Sequence, residues 1–328
     1  MSGPAFGPEK LSLNQATVRN LSAAAAIELC VRHSIPAIGL WRDKVAELGA
    51  DAVAAMARSA GVHVSSLCRG GFFTGSDVAQ RQAARAENVR AIEEAAVLGA
   101  DTLVLVSGGM VPGSRDLGLA RRMIADGIAD LVPVAQRAGV RLGVEALHPM
   151  FCADRCAISR LGDALDLALQ FPADAVGVVI DTYHVWWDSH VIGDIARAAG
   201  RIASYQLADW ILPLPADLLL GRGHPGDGFI DFPAISAAVR AAGYTGYVEV
   251  EIFNQTIWDA PADATAATVR SRFAEVAGKR TRPRKIGAAR TIAESIVVVL
   301  APGARPAPEV RRAGRARPSG PERAGRLL

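Results

Sequence analysis

VGVVIDTYHVWWD, residues 176–188, begins as a short apolar run rich in β-branched residues, closes on an aspartate and passes into histidine and tryptophan. A run of that length and composition suits a strand buried on both faces, as in a parallel sheet covered by helices. The same arrangement recurs around it. RLGVE at 141–145, IASYQL at 202–207 and YVEVEI at 247–252 are apolar runs interrupted near their ends by Glu145, Gln206 and Glu251, as the first is by Asp181. Upstream, further strands are predicted at 9–14, 36–41, 62–67 and 101–106. Helical patterns fill the intervals at 20–33, 43–60, 78–99, 116–138, 157–170, 190–199 and 232–242. Glycines close several of them, as in AAVLGAD and AQRAGVR. About eight strand–helix units in roughly 270 residues fit a (β/α)₈ TIM barrel, typically about 250 residues. A doubly wound sheet is disfavoured, because no G-x-G-x-x-G follows the first strand and the SGG at 107–109 lacks the rest of that fingerprint.

The 328 residues carry 36 Lys and Arg against 33 Asp and Glu, but the charge is unevenly distributed. Residues 278–328 hold 13 basic and 3 acidic side chains, leaving 23 basic against 30 acidic in residues 1–277. An acidic body argues against a nucleic-acid groove, which needs clustered Lys and Arg. The expected organisation is a catalytic barrel over 1–277 followed by an Arg/Pro/Ala-rich tail over 278–328, read as disordered despite its IVVVL at 296–300. Cys30, Cys68, Cys152 and Cys156 form no C-x-x-C pair and are too few for a disulfide scaffold. No signal-peptide pattern opens the chain, and no segment approaches the roughly 18 apolar residues that would span a bilayer. A cytoplasmic protein with no membrane partner is expected.

In such barrels the active site lies at the C-terminal ends of the strands, where Glu145, Asp181, Gln206 and Glu251 fall. Three carboxylates converging at buried strand ends repel one another unless a cation joins them. The set is therefore read as one divalent-metal site. Three carboxylates and an amide oxygen favour Mn²⁺, with Mg²⁺, Co²⁺ or Zn²⁺ as alternatives. Glu249 competes with Glu251, since residues two apart share a strand face; Glu251 is preferred as nearer the end. His184 is placed to orient a substrate oxygen or to stabilise charge on it. His148, in EALHP, is a second candidate base or substrate contact. Trp186 and Trp187 offer flat faces for a sugar ring. Arg222, in GRGHPGDGFID, and Arg69, in SLCRGGF, are candidates for substrate oxygens.

These motifs, with LWRDK at 40–44, VEALHPM at 144–150, QLADW at 206–210 and GYVEVEIF at 246–253, resemble in order those of the sugar-phosphate isomerase/epimerase family with the xylose-isomerase-like barrel. The resemblance covers about residues 9–277. It implies metal ligation by Glu145, Asp181, Gln206 and Glu251, with His184 and Arg222 on substrate. It also implies isomerisation or epimerisation of a keto sugar or polyol ketone through an enediolate, with Glu145 and Glu251 exchanging the proton. Gln206 departs from the histidine that many members carry. A lyase on the same barrel is the runner-up, like the α subunits of C-glycoside deglycosidases, which work with a small partner subunit, or like inosose dehydratase; otherwise a homo-oligomer is the expected assembly. An endonuclease-IV-like repair enzyme would need a histidine cluster that six scattered histidines do not offer, and a non-catalytic binding protein would have little use for the ligand set.

Overall fold

Strands that are apolar on both faces need cover on both, and a barrel supplies it with packed side chains inside and helices outside. In the computed structural model, which describes residues 6–277, eight parallel strands close into such a barrel. They are β1 (Leu11–Asn14), β2 (Ala37–Trp41), β3 (His63–Gly71), β4 (Thr102–Val106), β5 (Arg141–Glu145), β6 (Val176–Asp181), β7 (Ile202–Leu207) and β8 (Val248–Val250). Each strand pairs with its neighbours in sequence, and β8 returns to pair with β1. The expected tail over 278–328 lies outside the described residues.

Several boundaries match their sequence signals. The helices Val78–Leu98 and Leu117–Ala138 both stop at a glycine in the left-handed region, Gly99 and Gly139, each at φ 66°, where a side chain would be strained. Helix Leu117–Ala138 turns Ala120, Ile124, Ile128, Leu131 and Ala135 to the core at helical spacing. The structure differs at 43–60, where two helices, Arg42–Ala46 and Ala50–Ala60, are separated at Gly49, whose φ is 85°. It also adds a final helix, Ala262–Val276, which anchors on the barrel through Ala266, Val269 and Phe273. No helix among the described residues is long and apolar enough to cross a membrane.

Register positions the site. Asp181 on β6 lies level with Gln206 on β7, and Gln206 lies level with Glu249 on β8, so Glu251 rises beyond that layer. Inside the barrel, Ser12, Asn14, Ser66, Ser204 and Glu249 are buried polar side chains, an interior able to hold hydrogen-bonded charge.

Candidate active site

Four strand ends supply the floor. Glu145 ends β5, Asp181 ends β6, Gln206 lies one residue before the end of β7, and Glu251 follows β8; all four are buried. Beyond β7 the chain forms a two-residue antiparallel ribbon, Asp209–Trp210 against Arg222–Gly223, which folds Arg222 back over the floor. The Arg222 guanidinium donates to Asp181 Oδ2 at 2.7 Å, to Glu251 Oε2 at 3.1 Å and to the Glu251 carbonyl at 3.1 Å. The Tyr183 and Phe253 rings lie 4.8 and 5.0 Å from it. Asn254 holds the arginine's own carbonyl at 2.8 Å.

Burial dominates the electrostatics. It raises the Glu145 carboxyl well above the ordinary range, with Asp181 and Glu251 adding repulsion. Burial also raises Asp181, against the pull of Arg222 and the Tyr183 N–H. Glu251 is pushed up to about 8 by burial, with Arg222 opposing and Asp181 and Glu249 reinforcing the shift. For Arg222, burial works against the charge, yet Asp181, Glu251 and Glu145 outweigh it and hold the guanidinium charged.

His184, expected on the substrate, stands among the carboxylates: Glu145, Asp181 and His184 present potential ligand atoms all within 4.8 Å of one another. Burial, then Arg222, lowers its pKa well below the ordinary value, so the imidazole is neutral. Its Nδ1 faces the His148 backbone N–H at 3.2 Å and its Nε2 faces Arg222 Nη2 at 3.0 Å. A neutral imidazole accepts at one nitrogen only. The backbone amide and the guanidinium are both donors only, so one of the two contacts sets hydrogen against hydrogen whichever nitrogen carries the proton.

Above the floor opens a cavity of about 370 Å³ lined by Glu145, Glu251, His184 and Arg222, with Arg69 on its wall. Two expected substrate contacts are placed elsewhere. His148 does not line this cavity; its Nδ1 accepts the Met150 N–H at 3.3 Å and its ring packs against Trp187 and Trp210. Trp186 is likewise directed away, packing on Trp210 at 5.6 Å. Trp41, Phe253 and Trp258 supply the aromatic wall instead. Phe253 stands two residues beyond Glu251 and could have been found from that spacing, whereas Trp41, at the end of β2, lies far from the strand-end carboxylates along the chain.

Sequence reasoning also missed Asp209 within QLADW. Its buried carboxylate accepts N–H groups from Gly226 at 2.9 Å, Gly228 at 2.8 Å, Ile230 at 3.1 Å and Trp210 at 2.8 Å, fixing the loop that carries Arg222. An aspartate preceding a glycine-rich loop by some fifteen residues is the signal that could have found it.

The floor fits a divalent cation on its own chemistry. Glu145, Asp181 and Glu251 are three buried acids against one guanidinium. Gln206 donates its amide nitrogen to Glu249 Oε2 at 3.4 Å, and its buried Oε1 has no hydrogen-bond partner. An orphaned amide oxygen beside surplus carboxylates is a donor set for a hard cation.

The family model described as xylose isomerase-like TIM barrel matches residues 20–273. An inosose isomerase of Bacillus velezensis is 25% identical over 280 residues, covering 82% of this chain and 98% of that protein. The inosose isomerase of Bacillus licheniformis is 26% identical over 155 residues, 46% of this chain, so the match spans only about half, 54%, of that relative's length. A 3-dehydroshikimate dehydratase of Pseudomonas putida is 29% identical over 177 residues, 52% of this chain and 26% of that protein. Among solved structures, a protein of Sinorhizobium meliloti 1021 superposes with a TM-score of 0.80 at 44% identity, covering 83% of this chain and all of the other, 100%. The IOLI protein with a bound zinc atom superposes at 0.72 with 21% identity, over 82% of this chain and 98% of that one, a likeness of fold.

Proposed function

We propose that this chain, which belongs to the xylose isomerase-like TIM barrel family, is a divalent-metal-dependent enzyme that shifts a proton beside the carbonyl of a keto sugar or related polyol ketone, giving isomerisation or epimerisation. The observation that carries this reading is that Glu145 and Glu251, from strands on different sides of the barrel, face one cavity with His184 and Arg222 beside them. Glu145, Asp181, Gln206 and Glu251 would hold the cation, and Mn²⁺ suits their oxygen atoms best, with Mg²⁺, Co²⁺ or Zn²⁺ as alternatives. When bound, it supplies Lewis-acid stabilisation of negative charge developing on the substrate oxygen.

The protein's own groups do the rest. One glutamate removes the proton on the carbon beside the carbonyl and the other returns one, a division of labour that two carboxyls of raised basicity at one cavity can perform near neutral pH. Arg222 Nη2 and the His148 N–H both point at a neutral imidazole that accepts only once, and a substrate oxygen accepting from Arg222 would relieve that conflict. The aromatic wall of Trp41 and Trp258 presents apolar faces to a sugar ring.

The test is exchange of substrate hydrogen with solvent deuterium, followed by NMR for keto sugars and inososes with and without Mn²⁺. Glu251→Gln should lower that exchange by about 100-fold or more. Undiminished turnover in a folded Glu251→Gln protein that has lost its metal would refute the reading. Similarity to a 3-dehydroshikimate dehydratase favours one second reading, a lyase, in which the same proton removal is followed by loss of a β-hydroxyl or an aglycone. Release of an enone or of an aglycone from a 3-keto C-glycoside, in place of an isomerised ketone, would select it.

A further inference from the structure

Four arginines line the cavity, and acidic side chains engage them to very different degrees. Of the arginines that line it, Arg222 is engaged by Asp181 and Glu251, and Arg19 donates to Asp43 Oδ2 at 2.9 Å. Two remain. Arg69 makes no ion pair and no side-chain hydrogen bond among the described residues, and its guanidinium rests on the Phe72 ring at 4.3 Å. Arg155 Nε is buried without a hydrogen-bond acceptor, the adjacent Asp154 carboxylate standing 3.6 Å away and largely exposed. Arg19, Arg69 and Arg155 line one cavity, and burial holds the Arg69 guanidinium below its ordinary value, with Cys68 and Glu145 opposing the shift and Arg155 and Arg19 adding to it. Of the acids on the same lining, Asp217 caps Leu219 N–H at 3.0 Å, Glu251 meets Arg222, and Glu145 attracts Arg69 without a hydrogen bond to it. Two guanidiniums on one cavity wall, Arg69 with no ion pair among the described residues and Arg155 with only an exposed and distant one, leave N–H donors free for an anion with several oxygen acceptors.

We infer that the substrate carries an anionic group, a carboxylate or a phosphate, seated between Arg69 and Arg155 on the cavity wall while its carbonyl reaches Glu145 and His184 at the floor. The inference rests on the keto-polyol reading and narrows it to a keto-polyol acid or phosphate. A neutral ketose would offer the guanidiniums only hydroxyl oxygens and no compensating charge.

Binding of matched pairs by calorimetry to the full chain tests it: quinate against its methyl ester for a carboxylate, and glucitol 6-phosphate against glucitol for a phosphate. In at least one pair the charged member should bind at least about tenfold tighter, the worth of one charge-assisted hydrogen bond, and the pair that discriminates identifies the group. The ratio should fall toward one in Arg69→Met and in Arg155→Met. A ratio near one for both pairs in the unaltered protein overturns the inference. So does discrimination that persists in both folded variants, which would place anion binding elsewhere, including on the basic segment beyond residue 277. If a variant fails to fold, the unaltered protein decides through salt: the preference should shrink several-fold between 50 and 500 mM NaCl about a 1:1 stoichiometry, and a salt-independent ratio counts against the arginines. None of the four compounds has a ketone, so this discrimination can fail while hydrogen exchange on neutral inososes succeeds, and the reverse.

Discussion

Glu249 and Glu251 stand two residues apart at the end of β8, yet the protein uses them differently. Glu249 lies inside the barrel, accepting from Asn14 Nδ2 at 2.8 Å and from Ser65 Oγ at 3.0 Å. Burial raises its pKa and these hydrogen bonds moderate the shift. Glu251, one layer higher, meets Arg222 and the cavity. Alternation along a strand makes the shared face legible in the sequence, but the layer depends on how far each strand runs, which only the register reveals. A contrast follows. Glu249→Gln keeps an oxygen toward Asn14 and removes a buried charge, so thermal unfolding of the metal-free protein should move upward by a few degrees at pH 8, with hydrogen exchange retained. Glu251→Gln should instead lower exchange by about 100-fold or more. Equal loss of exchange in the two variants would show that Glu249 is no mere support. Arg222 was legible as a functional arginine because its loop is glycine-rich; its burial between two carboxylates was not, since the ribbon that folds it inward has no periodic pattern.

At the scale of elements, the strands were read closely because each is a short apolar run bounded by turn residues, and β5, β6 and β7 begin and end where that run does. The loop after β7 was read for Arg222, although its shape comes from another side chain. Asp209 gathers four backbone N–H groups, and Gly228 passes so close to Trp210 that a Cβ at this position would lie 2.0 Å from the Trp210 carbonyl oxygen. Asp209→Ala would strand several of those donors in a site without room to resolvate them, at about 1–3 kcal/mol for each one left unpaired. The expected result is a destabilisation of at least about 3 kcal/mol in urea unfolding. Surviving folded protein should also lose activity beyond that of the parent at matched folded fraction, because the loop positions Arg222. Asp209→Asn, which keeps two acceptor lone pairs on one oxygen, should recover part of both losses. A stable Asp209→Ala protein with parental activity would mean that the ribbon holds Arg222 without it.

At the scale of the molecule, the (β/α)₈ closure follows from the count of alternating strands and helices, while Ala262–Val276 escaped notice because its mixed polar composition gives only a weak apolar stripe. The acidic balance of residues 1–277 has a local counterpart in Glu145, Asp181 and Glu251, buried around a single engaged guanidinium, with Glu249 buried one layer below. This arrangement ties stability to pH in a definite direction. In the unfolded chain a glutamate ionises near 4.5, whereas in the fold Glu251 ionises at about 8 and Glu145 is raised well above 4.5. Between those values the folded protein keeps protons that the unfolded chain has released. A group of raised acid pKa therefore contributes its full stability below the unfolded value and loses it as pH climbs through the folded one. Metal-stripped protein should show a falling melting temperature between pH 6 and pH 9. A divalent cation must displace those same protons, so its stabilisation grows over the same window. At a concentration about 100 times its dissociation constant, Mn²⁺ should raise the melting temperature by about 5 °C, most at pH 9 and least at pH 6. Differential scanning calorimetry of chelator-treated protein at three pH values measures both slopes. A melting temperature indifferent to pH and to every divalent ion would mean that Arg222 alone reconciles these buried anions, and the metal-dependent reading would fall with that result.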